Sequence, residues 1–223
     1  MSASASKWLN SVGAALPKER VCLGRATSAA YASDPAMLSF ILARYKFTAK
    51  MLAGKGRILE IGCGDAFGSP LVAKCVAQLV ATDIDRETLA DNAKRLSIPN
   101  LIFHEHDFAH ETMNERFDGA FAIDVLEHIY ASELPTWMEN ICGTLTQDGV
   151  LLLGTPNATS QIYASRHSKE GHVNVHTADQ LALLGRQWFR NSFLFSQHDE
   201  VVTTAFSPMA QYLWLMGVGV RQP

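Results

Sequence analysis

The chain has 223 residues, of which 48% are hydrophobic and 18% charged, with a formal net charge of −3. That length buries one substantial core, and the composition excludes an intrinsically disordered chain. The slight acidity removes any general electrostatic reason to bind nucleic acid, whose phosphates demand a basic face. Cys22, Cys63, Cys75 and Cys142 are dispersed and form no CxxC pair, so neither a zinc framework nor a disulfide framework is expected and a reducing cytoplasm fits them. The first residues lack the apolar stretch of a signal peptide, and no apolar run approaches the ~20 residues that span a bilayer. A soluble, cytoplasmic protein without membrane insertion is the expectation.

Residues 1–20 are small and polar, consistent with an arm or a short helix. Asp34 and Pro35 make a good helix start, and Met37, Leu38, Ile41, Leu42, Tyr45 and Leu52 follow at helical spacing, interleaved with Arg44, Lys46 and Lys50. Residues 57–61 (RILEI) form a short apolar run between Gly56 and Gly62 and predict a buried strand. Gly62, Gly64 and Gly68 then make a tight turn, and residues 71–77 predict the helix after it. Strand, glycine turn and helix open a nucleotide-binding α/β unit, because glycine lets the backbone approach a ligand closely. No Gly-Lys-Ser/Thr ends the turn, which argues against a P-loop and leaves a nucleotide of another kind open.

Residues 78–83 (QLVATD) predict a second strand and residues 86–96 an amphipathic helix, with Leu89, Ala93 and Leu96 on one face. Residues 100–108 are a third strand and its exit, with His104 and His106 on the surface. Residues 117–129 are a fourth strand and the loop at its carboxyl end. A helix over 135–145 and a strand over 150–155 follow. Residues 157–177, rich in His, Ser and Asn, are long for a connection, and loops of that length are usually functional. A helix begins at Thr177 with Leu181, Leu184 and Trp188 on its apolar face, and strands are expected over 191–196 and 212–220. Residues 212–216 (YLWLM) suit either a core strand or an oligomer interface.

The acid Glu60, the glycines Gly62 and Gly64, and a second strand ending in an acid resemble the class I S-adenosylmethionine-dependent methyltransferases. Ala66 stands where the family most often has a third glycine. The resemblance covers most of residues 55–155 and implies an α/β Rossmann-like open sheet of about seven mostly parallel strands with helices on both faces. It also implies one domain over 1–223: an arm and lid helices (1–54), a cofactor-binding core (55–155), and a substrate loop with C-terminal strands (156–223). Glu60, Gly62, Cys63, Gly64, Asp83, Ile84, Asp107, Phe108 and Asp124 are the cofactor-binding residues it implies for S-adenosyl-L-methionine. Asp83 would bind the ribose hydroxyls, with Asp85 as the alternative; Asp107 would bind the adenine amino group and Phe108 would offer its N–H and a ring edge. Tyr31, Arg44 and Tyr45 are candidates for the methionine carboxylate. Cys63 has a simpler reading beside this one, as a small residue filling a tight turn.

In an open parallel sheet ligands gather at the carboxyl ends of strands, which places residues 124–128 where chemistry should occur. An oxygen nucleophile needs a general base, and histidine is the commonest near neutral pH. His128 is the first candidate, followed by His172 and His176. Against these stand a helix-start histidine bonded to backbone and a helix-cap neighbour. Glu127, His128, His172 and His176 offer enough ligands for a metal, but their spacing matches no defined motif, so no metal is assigned. The segment 125–129 (VLEHI) resembles small-molecule methyltransferases, including those of quinone biosynthesis. Looser likenesses at 44–47, 168–174 and 198–202 point to sugar modification. The expected function is methyl transfer to an oxygen or nitrogen of a small-molecule acceptor, such as a sugar or sugar nucleotide of surface polysaccharide. A quinone or small aromatic acceptor, or a non-catalytic cofactor-binding protein, are the alternatives. A homo-oligomer is left open.

Overall fold

Five parallel strands, from the β3 edge to β5, and three antiparallel ones form one eight-stranded sheet, ordered β3-β2-β1-β4-β5-β8-β6-β7. The structure, a computed structural model, describes residues 1–16 and 20–221. The strands are β1 (Arg57–Ile61), β2 (Gln78–Asp83), β3 (Leu101–Glu105), β4 (Phe117–Ile123), β5 (Leu145–Pro156), β6 (Phe189–His198), β7 (Val201–Thr203) and β8 (Tyr212–Val220). β1 and β2 match the expected bounds, and the expected class I sheet is what forms. Two details differ. β3 ends at Glu105, two residues before Asp107, and a short edge strand, β7, hairpins onto β6.

The helices are α1 (Ala3–Ser11), α2 (Arg25–Ser33), α3 (Ala36–Met51), α4 (Ser69–Ala73), α5 (Arg86–Arg95), α6 (Leu134–Thr144), α7 (Arg166–Gly171) and α8 (Ala178–Trp188). α2 was not anticipated, because its run of small and polar residues carries almost no apolar periodicity. The part of the expected 1–20 arm at residues 17–19 lies outside the described residues. The 157–177 connection is built, not loose: it holds a 3₁₀ turn at Ala158–Tyr163 and then α7.

Alternation along the parallel strands sorts side chains to two faces, each of which buries a core. On one face Leu59, Ile61, Val80, Ala120, Ala122, Leu151 and Leu153 pack with Trp137, Met138 and Ile141 of α6 and Leu181 and Leu184 of α8. On the other, Ile58, Leu79, Ala81, Phe121, Ile123 and Leu152 pack with Tyr45 and Ala49 of α3, Leu52 just after it, and Val72 and Ala73 of α4. Trp214 of β8 joins this second core fully buried, and its indole donates to Gln197 Oε1 at 2.9 Å. Residues 212–215 are all buried between β5 and β6, so this stretch is a core strand.

β1 and β4 are adjacent, while the chain runs from β1 outward through β2 and β3 before returning. The crossovers therefore leave in opposite directions on either side of the β1/β4 pair, opening a crevice above their carboxyl ends. Among the described residues no helix is long and apolar enough to cross a membrane.

Candidate active site

The glycine turn adopts the conformations its sequence predicts. Gly62 (φ +69°) and Gly64 (φ +51°) are left-handed, and so is Ala66 (φ +54°) at the position where the family most often has glycine. A side chain at Gly62 would lie 2.5 Å from Val125, whereas nothing stands within 4 Å of the Cβ position of Gly64. The turn thus opens outward at Gly64. Cys63 is buried; its thiol donates to Gly64 O at 3.5 Å, and burial pushes the thiol far above its ordinary range. It fills space and holds the turn, and a protonated thiol is no nucleophile.

Asp83 ends β2 beside this opening. Its Oδ2 accepts from Gly64 N–H at 2.8 Å and its Oδ1 from Asp85 N–H at 3.0 Å, which fixes the carboxylate at the lip of the turn. Asp85 is occupied elsewhere: it caps α5 by accepting from the N–H groups of Glu87 and Thr88 and from the Thr88 hydroxyl. Ile84, an apolar residue, is 71% exposed at the end of β2, and with His104, His106, Asp107 and Glu111 it lines a depression of about 580 Å³. Such a surface suits the flat face of a base.

Asp107 reaches this depression but is partly engaged, accepting from Ala109 N–H at 2.9 Å and pairing with His110 Nδ1 at 2.7 Å. Phe108 corrects its expectation. Its ring is 2% exposed within the core below β4, and no edge is left for a ligand.

The lid side departs further from the sequence reading. Tyr45 packs so tightly over the turn that a Cβ on Gly68 would sit 2.0 Å from its ring, and its hydroxyl donates to Glu60 Oε1 at 2.7 Å. Glu60 is 1% exposed, and burial pushes its carboxyl up to about 7, against the pull of the neighbouring Ser69 and Tyr45 hydroxyls. These two residues tie α3 to β1 beneath the turn, so Tyr45 is committed and does not extend toward a carboxylate. Arg44, the other lid candidate, forms an ion pair with Asp124, and its guanidinium lies 3.9 Å above the Tyr212 ring. Asp124 itself is left-handed (φ +57°), a strained conformation for a residue with a side chain, of the sort that persists where the surroundings over-determine it. Tyr31 is 58% exposed on α2.

Beyond β4, Glu127 is 1% exposed and accepts from the Thr155 hydroxyl at 3.1 Å; burial and the nearby Asp124 raise its carboxyl to about 8. Its carbonyl accepts from Val173 and Asn174 N–H at 2.8 and 3.0 Å, which draws the 157–177 connection onto the end of β4. His128 and His172 are thereby brought together edge to face, with ring centroids 5.3 Å apart and planes at 74°. His176 goes elsewhere. It is 8% exposed and its backbone pairs with Asn157 and Ala158, so it secures the root of the connection and does not join the other two histidines.

Several residues that shape the site escaped the sequence reading. Asp65 accepts from Thr27 N–H at 2.7 Å and from its hydroxyl at 2.8 Å, joining α2 to the glycine turn. Asn92, a polar residue at a buried position of α5, donates to Gly64 O at 2.7 Å and braces the turn from below. An asparagine on the same helical face as Leu89 was the available signal for it. Gln161 and Thr155 offered none, since only the folded chain brings them to the histidines and Glu127.

Residues 34–188 match the family model described as a methyltransferase domain. The chain belongs to that methyltransferase family. The resemblance to class I S-adenosylmethionine-dependent enzymes, read from the glycine turn and its acids, is borne out. Among curated proteins, the methyltransferase chain is 28% identical over 102 residues to Nodulation protein S of Azorhizobium caulinodans, covering 45% of this chain and 49% of that protein. It is 26% identical over 121 residues to the malonyl-[acyl-carrier protein] O-methyltransferase of Bacillus cereus, covering 53% and 42%. The chain thus spans about half the length of these curated relatives. Its fold is similar to that of the N-methyltransferase NodS from Bradyrhizobium japonicum WM9 in complex with S-adenosyl-L-homocysteine, at a TM-score of 0.60 and 15% identity, covering 85% of this chain and 90% of that one.

Proposed function

We propose that this methyltransferase carries S-adenosyl-L-methionine across the glycine turn and transfers its methyl group to an oxygen or nitrogen of a small molecule. The observation that carries the reading is the Asp83 carboxylate, pinned by Gly64 N–H where the turn is open at Gly64, with exposed Ile84 adjoining it. A carboxylate so placed is suited to accept hydrogen bonds from both ribose hydroxyls. Gly62, Gly64 and Cys63 are assigned to the turn that approaches the cofactor, Ile84 to the adenine face and Asp107 to the adenine amino group. Phe108 contributes only backbone. Glu60 and Asp124 act at one remove, holding α3 under the turn and anchoring Arg44.

Methyl transfer from the sulfonium is an in-line displacement. The acceptor's lone pair forms the new bond to carbon while the carbon–sulfur pair leaves to sulfur, and the protein's task is to position and to exclude water. His128 and His172, at the carboxyl end of β4, are the residues assigned to the acceptor, and the polar character of this connection supports a sugar or sugar nucleotide. A second reading has its own support: Ile162, Tyr163, Phe206 and Met209 are each more than two-thirds exposed. They lie in or beside two adjoining 3₁₀ turns, Ala158–Tyr163 and Ser207–Met209, linked by Thr159 Oγ1 donating to Pro208 O at 3.1 Å. That apolar rim favours an acceptor with an aromatic or acyl portion.

Calorimetric titration with S-adenosylmethionine and S-adenosylhomocysteine tests the core of the proposal. Wild type should bind both, and Asp83→Ala should weaken binding at least about tenfold, the loss of two charge-assisted hydrogen bonds. Wild type that binds neither would end the reading.

A further inference from the structure

The folded chain joins three metal-ligating side chains that the sequence keeps apart. One ligand atom from each of Glu127, His128 and His172 lies within 4.8 Å of the other two. We propose that these residues form a site for a divalent first-row transition metal, which holds and activates the acceptor oxygen; the activating role rests on the methyltransferase reading above.

Three observations support the site. First, both histidines are already oriented as ligands. His128 Nδ1 lies 2.9 Å from Gly171 O, and His172 Nδ1 lies 3.0 Å from Gln161 Oε1. A carbonyl oxygen only accepts, so each Nδ1 carries a proton and Nε2 is the ring nitrogen left to bind an ion. Metal-binding histidines show this arrangement: the second nitrogen is tied to a carbonyl or carboxylate, which fixes tautomer and ring direction.

Second, the carboxyl is held in place: Glu127 is buried and accepts from the Thr155 hydroxyl at 3.1 Å, and ligating carboxylates are themselves fixed by such hydrogen bonds. Third, the connection is clamped where it needs to be: Glu127's own carbonyl holds Val173 and Asn174, fixing His172 opposite His128.

Donors bound about 2.0–2.2 Å from one ion stand about 3–4 Å apart. Closing on an ion therefore draws these donors together by about an ångström, and the exposed His128 and half-buried His172 have room to swing. Two imidazoles and one carboxylate favour manganese, iron, cobalt or zinc over calcium or magnesium, which prefer oxygen ligands. Three protein ligands leave coordination positions open for the acceptor. A bound hydroxyl loses its proton to solvent more readily, and the resulting oxygen attacks the methyl carbon as the carbon–sulfur pair passes to sulfur. In this arrangement the Nε2 lone pairs bind the ion, and neither histidine is the base.

The test uses the full chain after metal stripping, titrated with Mn²⁺ and followed by loss of the free-ion electron paramagnetic resonance signal. S-adenosylhomocysteine binding is measured on the same samples. One Mn²⁺ per chain is expected. Affinity should fall about 100-fold or more in His172→Ala and about 10–100-fold in Gln161→Ala, which touches only the outer nitrogen of His172. Retained S-adenosylhomocysteine binding by both variants shows that they are folded. Wild type with no saturable Mn²⁺ uptake, or uptake unchanged in both variants, overturns the site. Protein that binds S-adenosylhomocysteine but no Mn²⁺ loses the metal alone. Protein that takes up Mn²⁺ at these residues but no S-adenosylhomocysteine loses the cofactor reading alone.

Discussion

Glu60 illustrates how burial can change what a motif residue does. The strand pattern points it inward at the carboxyl end of β1, where it is sealed under Tyr45. Its folded carboxyl is raised to about 7 from an ordinary 4.5, so between these values the folded chain holds a proton that the unfolded chain has shed. Stability from this group is fully present below about pH 4.5 and is lost as pH rises through about 7. Glu60→Gln, which keeps the shape and cannot ionise, should flatten this part of the profile. Thermal melts from pH 5 to 8 should show wild type losing stability relative to the variant, by about 3 kcal/mol at the upper end. Parallel curves for the two proteins would show that Glu60 titrates normally. Gly68 belongs to the same arrangement: the Tyr45 ring occupies the place of its missing side chain.

At the scale of elements, α2 depends on a cap from elsewhere in the chain. Its N-cap residue is Gly24, which has no side chain to accept from the first turn, and Asp65 performs that role by accepting from Thr27 N–H. The glycine is required because a Cβ there would lie 2.3 Å from Asp65. Arg95 of α5 completes the junction by donating to the Asp65 carbonyl at 2.9 Å. α2 is thus fastened to the glycine turn itself and to α5. Asp65→Ala should remove the cap at a cost of about 0.5–2 kcal/mol to α2. Hydrogen exchange should then quicken across residues 25–33 while the β1–β5 amides keep their protection. Uniform protection across both regions would mean that α2 stands without Asp65.

For the whole molecule, a ligand that binds only the folded chain raises its stability by mass action. At about 100 times its Kd, S-adenosylhomocysteine should add about 2.7 kcal/mol, or roughly 5–10 °C in Tm for a domain of this size. Differential scanning fluorimetry of wild type and Asp83→Ala reads this directly, and at the same ligand concentration the shift should fall to about half or less in the variant. Much of this architecture was visible in the chain itself. The alternation that makes Ile58 and Leu59 face opposite cores, the glycines at left-handed positions and the acid ending β2 are local features, dictated by backbone geometry and by the two-residue strand repeat. Those features determined the parallel sheet and the family. Local pattern could not decide which polar side chains meet. Tyr45 with Glu60, Arg44 with Asp124, Asp65 with Thr27, and His128 with His172 but not His176 are pairs distant in sequence. Their partners are selected only when the sheet closes and desolvation forces each buried donor and charge to find a mate.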